Sequence, residues 1–153
     1  MESIKTAQIV YFSGTGGTAR VAGHIRAALA GRGVAVTVTE LAGEARQYVE
    51  TDLLIVLFAV YAANAPLPVD EWINAAPEGG GKRAAVISVS GGGEISPNTA
   101  CRAPTVGRLQ RKGYNVVYER MMVMPSNFIM GYGDELNALL LAAAPRKAQR
   151  IAE

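Results

Sequence analysis

The run Asp52-Leu53-Leu54-Ile55-Val56-Leu57-Phe58-Ala59 narrows the possible folds more than any other stretch of this chain. Every position after the aspartate is apolar, so a strand here has no face to offer water. Such a strand belongs in the middle of a parallel sheet, with helices covering both sides. The rest of the chain supplies the partners. Thr6–Phe12, Val34–Leu41, Lys82–Ser90 and Tyr114–Met124 read as four more strands. In Val34–Leu41, Val alternates with Ala or Thr, which suits an edge. Helices are expected between them. The first, Thr18–Ala30, carries Val21, Ile25 and Leu29 on one stripe and stops at Gly31 and Gly33. Pro68–Ala76 carries Val69, Trp72 and Ile73, and Pro104–Lys112 carries Val106 and Leu109 before Gly113. Asp134 is expected to cap a last helix with Leu136, Leu139, Leu140 and Ala143 inward. Pro145 should break or restart it, leaving Arg146–Glu153 as a basic helical tail. Gly43–Val49 reads as a polar link with a helical turn, and Glu94–Ala103 has no clear pattern. Strands alternating with helices, joined by right-handed crossovers, give a three-layer α/β sandwich around a five-stranded parallel sheet.

Composition sets bounds on function. A length of 153 residues suits one domain, and half the residues are apolar with 18% charged, a soluble globular balance. No apolar run reaches membrane-spanning length, and the start of the chain lacks the basic and apolar regions of a signal peptide. With one cysteine, Cys101, and one histidine, His24, the chain offers no internal disulfide, no all-cysteine metal site and no histidine metal site. A reducing cytoplasm is the expected compartment. His24 reads as a boundary residue, Trp72 as core, Cys101 as a small buried residue, and Met121, Met122, Met124 and Met130 as packing. Residues 1–76 hold five Lys/Arg against seven Asp/Glu, a net −2, and residues 77–153 hold ten against six, a net +4. The basic residues are spread and lack interleaved aromatics, so nucleic acid is not an expected partner.

Function is expected where the first strand ends. Ser13-Gly14-Thr15-Gly16-Gly17-Thr18 joins an apolar strand to a helix. Amides at a helix start are unpaired and the helix dipole adds positive charge, so this loop can hold an anion. Its glycines let the backbone come close, and the hydroxyls of Ser13, Thr15 and Thr18 can donate. The loop contains no Lys or Arg, which suits one terminal phosphate better than a polyphosphate. No Gly-Lys-Ser/Thr follows, so the Walker pattern fails. A dinucleotide fingerprint is met in part by Gly14, Gly16 and Ala19, with Glu40 as the ribose acid. Two more unusual loops follow the third and fourth strands: Val60-Tyr61-Ala62-Ala63-Asn64 and Ser90-Gly91-Gly92-Gly93. All three would share the carboxyl edge of one sheet, where such folds bind ligands. Tyr61 offers an aromatic face to a flat ring and fits equally a rim tyrosine. Asn64 is the residue of its turn most tolerant of positive φ. The three glycines could bring amides to a ring edge or simply form a loop.

Tyr-Phe-Ser-Gly-Thr-Gly-Gly-Thr, Ala-Val-Tyr, Ser-Gly-Gly-Gly and Val-Met-Pro-Ser-Asn-Phe (Val123–Phe128) occur in this order over most of the chain. Together they resemble the flavodoxin part of microbial flavodoxin–ferredoxin electron-transfer proteins. The resemblance implies a flavodoxin-like strand order 2-1-3-4-5. It also implies FMN held by the loops after strands 1, 3 and 4, and a redox protein partner such as a ferredoxin or ferredoxin-like domain. In that family a cysteine-rich iron–sulfur segment follows, and this sequence ends at Glu153 without one. It is therefore expected to be a stand-alone relative or a piece of a longer protein. The family often has Asn where Gly17 stands, and a Trp-Gly-Pro-Pro-like turn where Ala63-Asn64-Ala65-Pro66 stands. Asn127 and Phe128 are candidates to border the flavin or a partner. The resemblance implies an electron carrier rather than a substrate-turning oxidoreductase. Two alternatives stay open on the same fold: an NAD(P)H- or quinone-linked flavin reductase, and a binding module without FMN.

Overall fold

A computed structural model of the chain describes residues 3–42, 47–126 and 131–153. Its centre is β3 (Leu53–Ala59), buried from Leu53 through Phe58 and paired in parallel on both sides. On one side lies β1 (Thr6–Phe12), and beyond it β2 (Ala35–Glu40); on the other lie β4 (Arg83–Ser90) and β5 (Asn115–Val123). All neighbours run parallel in the order β2-β1-β3-β4-β5. This is the flavodoxin-like arrangement, with the winding reversing between β1 and β3.

The helices divide between the faces. α1 (Gly17–Ala30) and α4 (Asp134–Ala152) cover one face, and α2 (Leu67–Ala75) and α3 (Ala103–Arg111) the other. Val21, Ile25 and Leu29 of α1 meet Ile9, Ile55 and Ile87 in one apolar cluster. Trp72 and Ile73 of α2 meet Val10, Val56 and Phe58 in the second. Trp72 is thus core, as its spacing indicated. Cys101 is buried, and so are Met121, Met122 and Met124. His24 sits at the boundary of α1. Met130, Asn127 and Phe128 lie outside the described residues, as does most of the Gly43–Val49 link.

Three expectations are corrected. Of the apolar stripe on the last helix, Leu136 and Leu139 are exposed, and the residues that α4 buries are Ala144 and Ala148. Pro145 neither breaks nor restarts the last helix; α4 runs unbroken through it. Proline removes one intrahelical hydrogen bond, but Ala144 and Ala148 on either side of it are buried in the cluster shared with α1, and their small side chains let the two helices pack closely. Asp134 is the first helical residue, and Gly133 holds the extended capping position. Asp134 and Glu135 still complement the helix dipole from the first turn. The patternless stretch after the Ser90–Gly93 loop contains a short 3-10 turn, Asn98–Arg102, leading straight into α3.

Buried polar groups fix the register where apolar contacts cannot. Gln8, wholly buried on β1, donates through Nε2 to Thr39 Oγ1 at 3.0 Å and to the Gln47 carbonyl at 2.8 Å. Its Oε1 accepts the Val49 amide at 3.0 Å. One side chain therefore ties the β2–β3 link to β1 and β2. At the other end of the sheet, Asp52 accepts the amides of Lys5 and Thr6 at 2.8 and 2.9 Å, and Thr6 Oγ1 accepts the Asp52 amide at 3.0 Å. Those two amides hold the Asp52 carboxyl below the usual carboxylate range. Lys112 donates to the carbonyls of Asn74, at 2.8 Å, and Ala76, so a cation closes the carboxyl end of α2. On the outer strand β5 the pairing with β4 slips by one residue: Ala84 faces Val116 and Ala85 faces Tyr118, leaving Val117 as an unpaired bulge.

Candidate functional site

The carboxyl ends of β1, β3, β4 and β5 open into a cavity of about 940 Å3. Its volume lies toward the upper end of the range usual for ligand and cofactor sites. The three loops do converge there. All the predicted site residues line it except Gly16, Asn64 and Gly93. Gly16 instead takes φ +95° just before α1, a conformation that favours glycine.

The first loop is built around Ser13. Its Oγ accepts the amides of Gly16 at 3.1 Å and Ala19 at 3.3 Å, which uses both acceptor positions and leaves its hydroxyl hydrogen free to donate. Arg20 makes the first intrahelical bond, to the Gly16 carbonyl at 3.0 Å. The amides of Gly17 and Thr18, which begin α1, have no acceptor among the described residues, and both residues line the cavity. Two orphan donors at a helix start, beside a free hydroxyl, form a cradle for an oxyanion.

The second loop is a tight two-residue turn. Tyr61 and Asn64 exchange amide-to-carbonyl bonds at 2.9 Å in both directions. The two central residues, Ala62 and Ala63, have φ of +47° and +60°. Asn64 stood out as tolerant of positive φ; the structure places that backbone on the two alanines, the geometry of a type I′ turn. Asn64 serves the turn differently, its Nδ2 donating to the Ala62 carbonyl at 3.0 Å. Tyr61 is 47% exposed, and its ring meets Phe12 edge-on at 6.1 Å between centroids. Its hydroxyl lies over Gly14, where an added Cβ would come within 2.0 Å of it. Gly14 is thus the place where the first and second loops interlock.

In the third loop each glycine has its own reason. A Cβ at Gly91 would lie 2.6 Å from Ser126 Cα, so the chain after β4 packs backbone against backbone with the chain after β5. A Cβ at Gly92 would strike the Asn98 amide at 2.5 Å, and Gly93 takes φ +78°. The Gly92 amide, expected to face a ligand, is spent on Ser90 Oγ at 3.0 Å. Asn98 also donates to Ser90 Oγ, at 3.3 Å, so that hydroxyl too keeps only its hydrogen to offer. The Gly91 amide has no acceptor among the described residues.

Sequence reasoning missed part of the wall. Ala59 and Val89 are the last apolar residues of central strands, and Asn98 comes from the patternless segment. Met124, Pro125 and Ser126 come from the end of β5, and Tyr132 from the link into α4. The Met-Pro-Ser stretch was traceable to this edge of the sheet because Pro125 ends the strand. Tyr132 carries no periodic or motif signal and is found only in three dimensions. It gives the cavity a second aromatic ring. No Asp, Glu, His, Lys, Arg or Cys is among the described lining residues. Glu40 does not line the cavity; its carboxylate accepts a hydrogen bond from Tyr11 and helps to raise that phenol above its ordinary range, with burial the larger cause. That departs from the dinucleotide geometry, in which the acid at the end of the second strand faces the ligand. Among the described residues no cluster of His, Cys, Asp or Glu could hold a metal, and no helix is long and apolar enough to cross a membrane.

No family model and no curated protein matches the chain. Solved structures do. A flavodoxin from the domain Archaea superposes with a TM-score of 0.65 at 19% identity, over 96% of each chain. The flavodoxin of Streptococcus pneumonia TIGR4 gives 0.65 at 20% identity, over 97% of this chain and 99% of its own. The flavodiiron protein from Giardia intestinalis gives 0.63 at 15% identity, over 96% of this chain but 36% of its own length. The chain therefore has the flavodoxin-like fold, shared both by small flavodoxins and by one part of larger flavoproteins.

Proposed function

We propose that this chain binds FMN in the cavity at the carboxyl edge of the sheet and carries electrons between protein partners. One arrangement carries the reading: an oxyanion cradle without cations at one end of the cavity, and an exposed aromatic ring, Tyr61, at the same mouth. The Gly17 and Thr18 amides and the Ser13 hydroxyl would hold the phosphate. Tyr61 and Tyr132 would meet the ring system, and the Gly91 amide and Ser90 hydroxyl would meet its polar edge. These residues fit the group, since every wall element offers a donor or an apolar face and none must lose a salt bridge. Bound there, FMN supplies one- and two-electron transfer. The protein's own part is to anchor, orient and partly exclude water. No lining residue among those described is placed for acid–base work, which favours a carrier over an enzyme with a proton-transfer step.

A visible absorption spectrum of the purified protein, before and after FMN addition and desalting, tests this directly. Retained flavin bands support it, and a protein that releases all added FMN refutes it. The flavin reductase reading draws support from one observation: the small Ala62 and Ala63 side chains leave the mouth of a 940 Å3 cavity wide. Steady NAD(P)H oxidation with a quinone acceptor would favour it over the carrier.

A further inference from the structure

Next to the cavity, along the outer strand, lies a second depression of about 390 Å3. Side chains two apart on a strand share a face, so Tyr118, Arg120 and Met122 of β5 point to one side. It is the side that carries α4, because Met122 packs in the same cluster as Ala144 and Ala148. From α4, Lys147, Arg150 and Ile151 reach the same depression, and Glu94 is its one acidic residue. Lys147 and Arg150 are neighbours on the helix surface, three residues apart.

The charge there is unspent. Elsewhere in this half of the chain Lys82 pairs with Glu50 at 2.9 Å, Arg102 with Glu119 at 3.3 Å, and Arg108 with Asp70 at 3.1 Å. Arg120, Lys147 and Arg150 have no ion-pair or hydrogen-bond partner among the described residues. Arg120 and Arg150 are exposed, and Tyr118 is 37% exposed. Three unpaired cations around an apolar floor with an exposed aromatic ring form an interface composition, in which Arg and Tyr are favoured. The surface is also continuous with the cofactor cavity. Met122 and Val123 line the depression, and Met124, Pro125 and Ser126, next along the chain, line the cavity.

We propose that this depression is the docking surface for an acidic protein partner in electron transfer. Carboxylates of the partner pair with Arg120, Lys147 and Arg150, and its apolar rim meets Tyr118 and Ile151. Docked there, the partner lies against the β5 wall of the cavity. The proposal rests on the electron-carrier reading for the partner's redox character. Its charge requirement rests on the surface alone. Cations spread over a strand and a helix suit the several carboxylates of a protein face better than one small anion.

The probe is an acidic plant-type [2Fe–2S] ferredoxin, titrated at low ionic strength into the FMN-loaded protein and into the flavin-free chain. Reduced ferredoxin is also mixed with the oxidised FMN-loaded protein, one electron leaving the iron–sulfur centre and entering the flavin. The triple reversal R120E/K147E/R150E is expected to weaken binding and slow transfer at least ~10-fold, the lower end of electrostatic steering effects. The control R26E/R32E/R111E makes the same change of net charge on exposed residues away from the depression and should change both less than ~3-fold. The milder R120Q/R150Q, which removes charge without reversing it, gives an intermediate loss and serves if the triple reversal does not fold. Equal losses in reversal and control, or no loss in the reversal, overturn the proposal. So does saturable binding of 2′,5′-ADP that the reversal abolishes while ferredoxin binding stays unchanged, since that marks a small-anion site. A chain that takes up no FMN refutes the cofactor reading separately, because ferredoxin binding to the flavin-free chain is read in the same titrations.

Discussion

The turn at Ala62-Ala63 should become more stable when its second residue is glycine. Both alanines hold left-handed backbone, at φ +47° and +60°, locked by the reciprocal Tyr61–Asn64 bonds. An L-residue with a Cβ in that region costs about 1–2 kcal/mol, from the clash of Cβ with the following carbonyl. Ala63→Gly removes that cost. It also frees the unfolded chain, which costs about 0.4–1 kcal/mol in the other direction. The difference leaves a net gain of about 0.5–1 kcal/mol for the single change. In a chain of this size 1 kcal/mol moves the melting midpoint by about 2–4 °C, so Ala63→Gly should raise Tm by about 1–4 °C. The assay is thermal unfolding of the flavin-free chain, which removes any contribution from ligand binding. Urea unfolding should show a higher midpoint with the same slope. Ala63→Val, with a branched side chain at the same φ, should lower the midpoint. A glycine variant whose midpoint falls by more than ~2 °C would mean that Ala63 is unstrained and the turn energetics are wrong.

Gly91→Ala forces a methyl against the Ser126 backbone and should destabilise by about 1–3 kcal/mol in urea unfolding, while Gly17→Ala, with open space around it, should change stability by less than ~1 kcal/mol. Gln8→Leu strands the Gln47 carbonyl and the Val49 amide and should cost about 2–4 kcal/mol in the same assay, with amide exchange accelerated at Val49. Ser13→Ala, which removes the acceptor for the Gly16 and Ala19 amides and one donor into the cradle, should weaken FMN binding about 10-fold or more by fluorescence titration, with riboflavin affinity changed much less. The Asp52 carboxyl titrates lower in the folded chain than in the unfolded one. Its contribution is therefore present above the unfolded carboxylate range and lost as pH falls through the folded one; Asp52→Asn should flatten the acid side of a stability-against-pH curve and leave the neutral region parallel.

Much of this molecule was legible because its strands are so apolar. Leu53–Phe58 could only be central, and the strand–loop–helix at Ser13–Thr18 could be placed at the carboxyl edge of the sheet. What stayed hidden depended on contacts between distant segments. Nothing local says that Gly91 is glycine because Ser126 crosses it, or Gly14 because the Tyr61 hydroxyl covers it. Pro145 misled because its local cost is real, and only the packing of Ala144 and Ala148 outweighs it. Tyr132 lay in a link whose composition says nothing of where a ring points. Asn64 drew attention as a residue at home in left-handed backbone, yet the turn takes that backbone at its neighbours Ala62 and Ala63.

The bulge at Val117 bears on how the molecule behaves in a crowded solution. A parallel sheet of five strands ends in two raw edges, and on β5 that edge is long. An unbroken edge is a template on which a second copy can lay down a sixth strand, and then another. The extra residue at Val117 interrupts the even spacing that such stacking needs, and Glu119 and Arg120, on opposite faces just beyond it, set charge on both sides of any incoming strand. The edge is thereby poorly suited to zippering with its own kind.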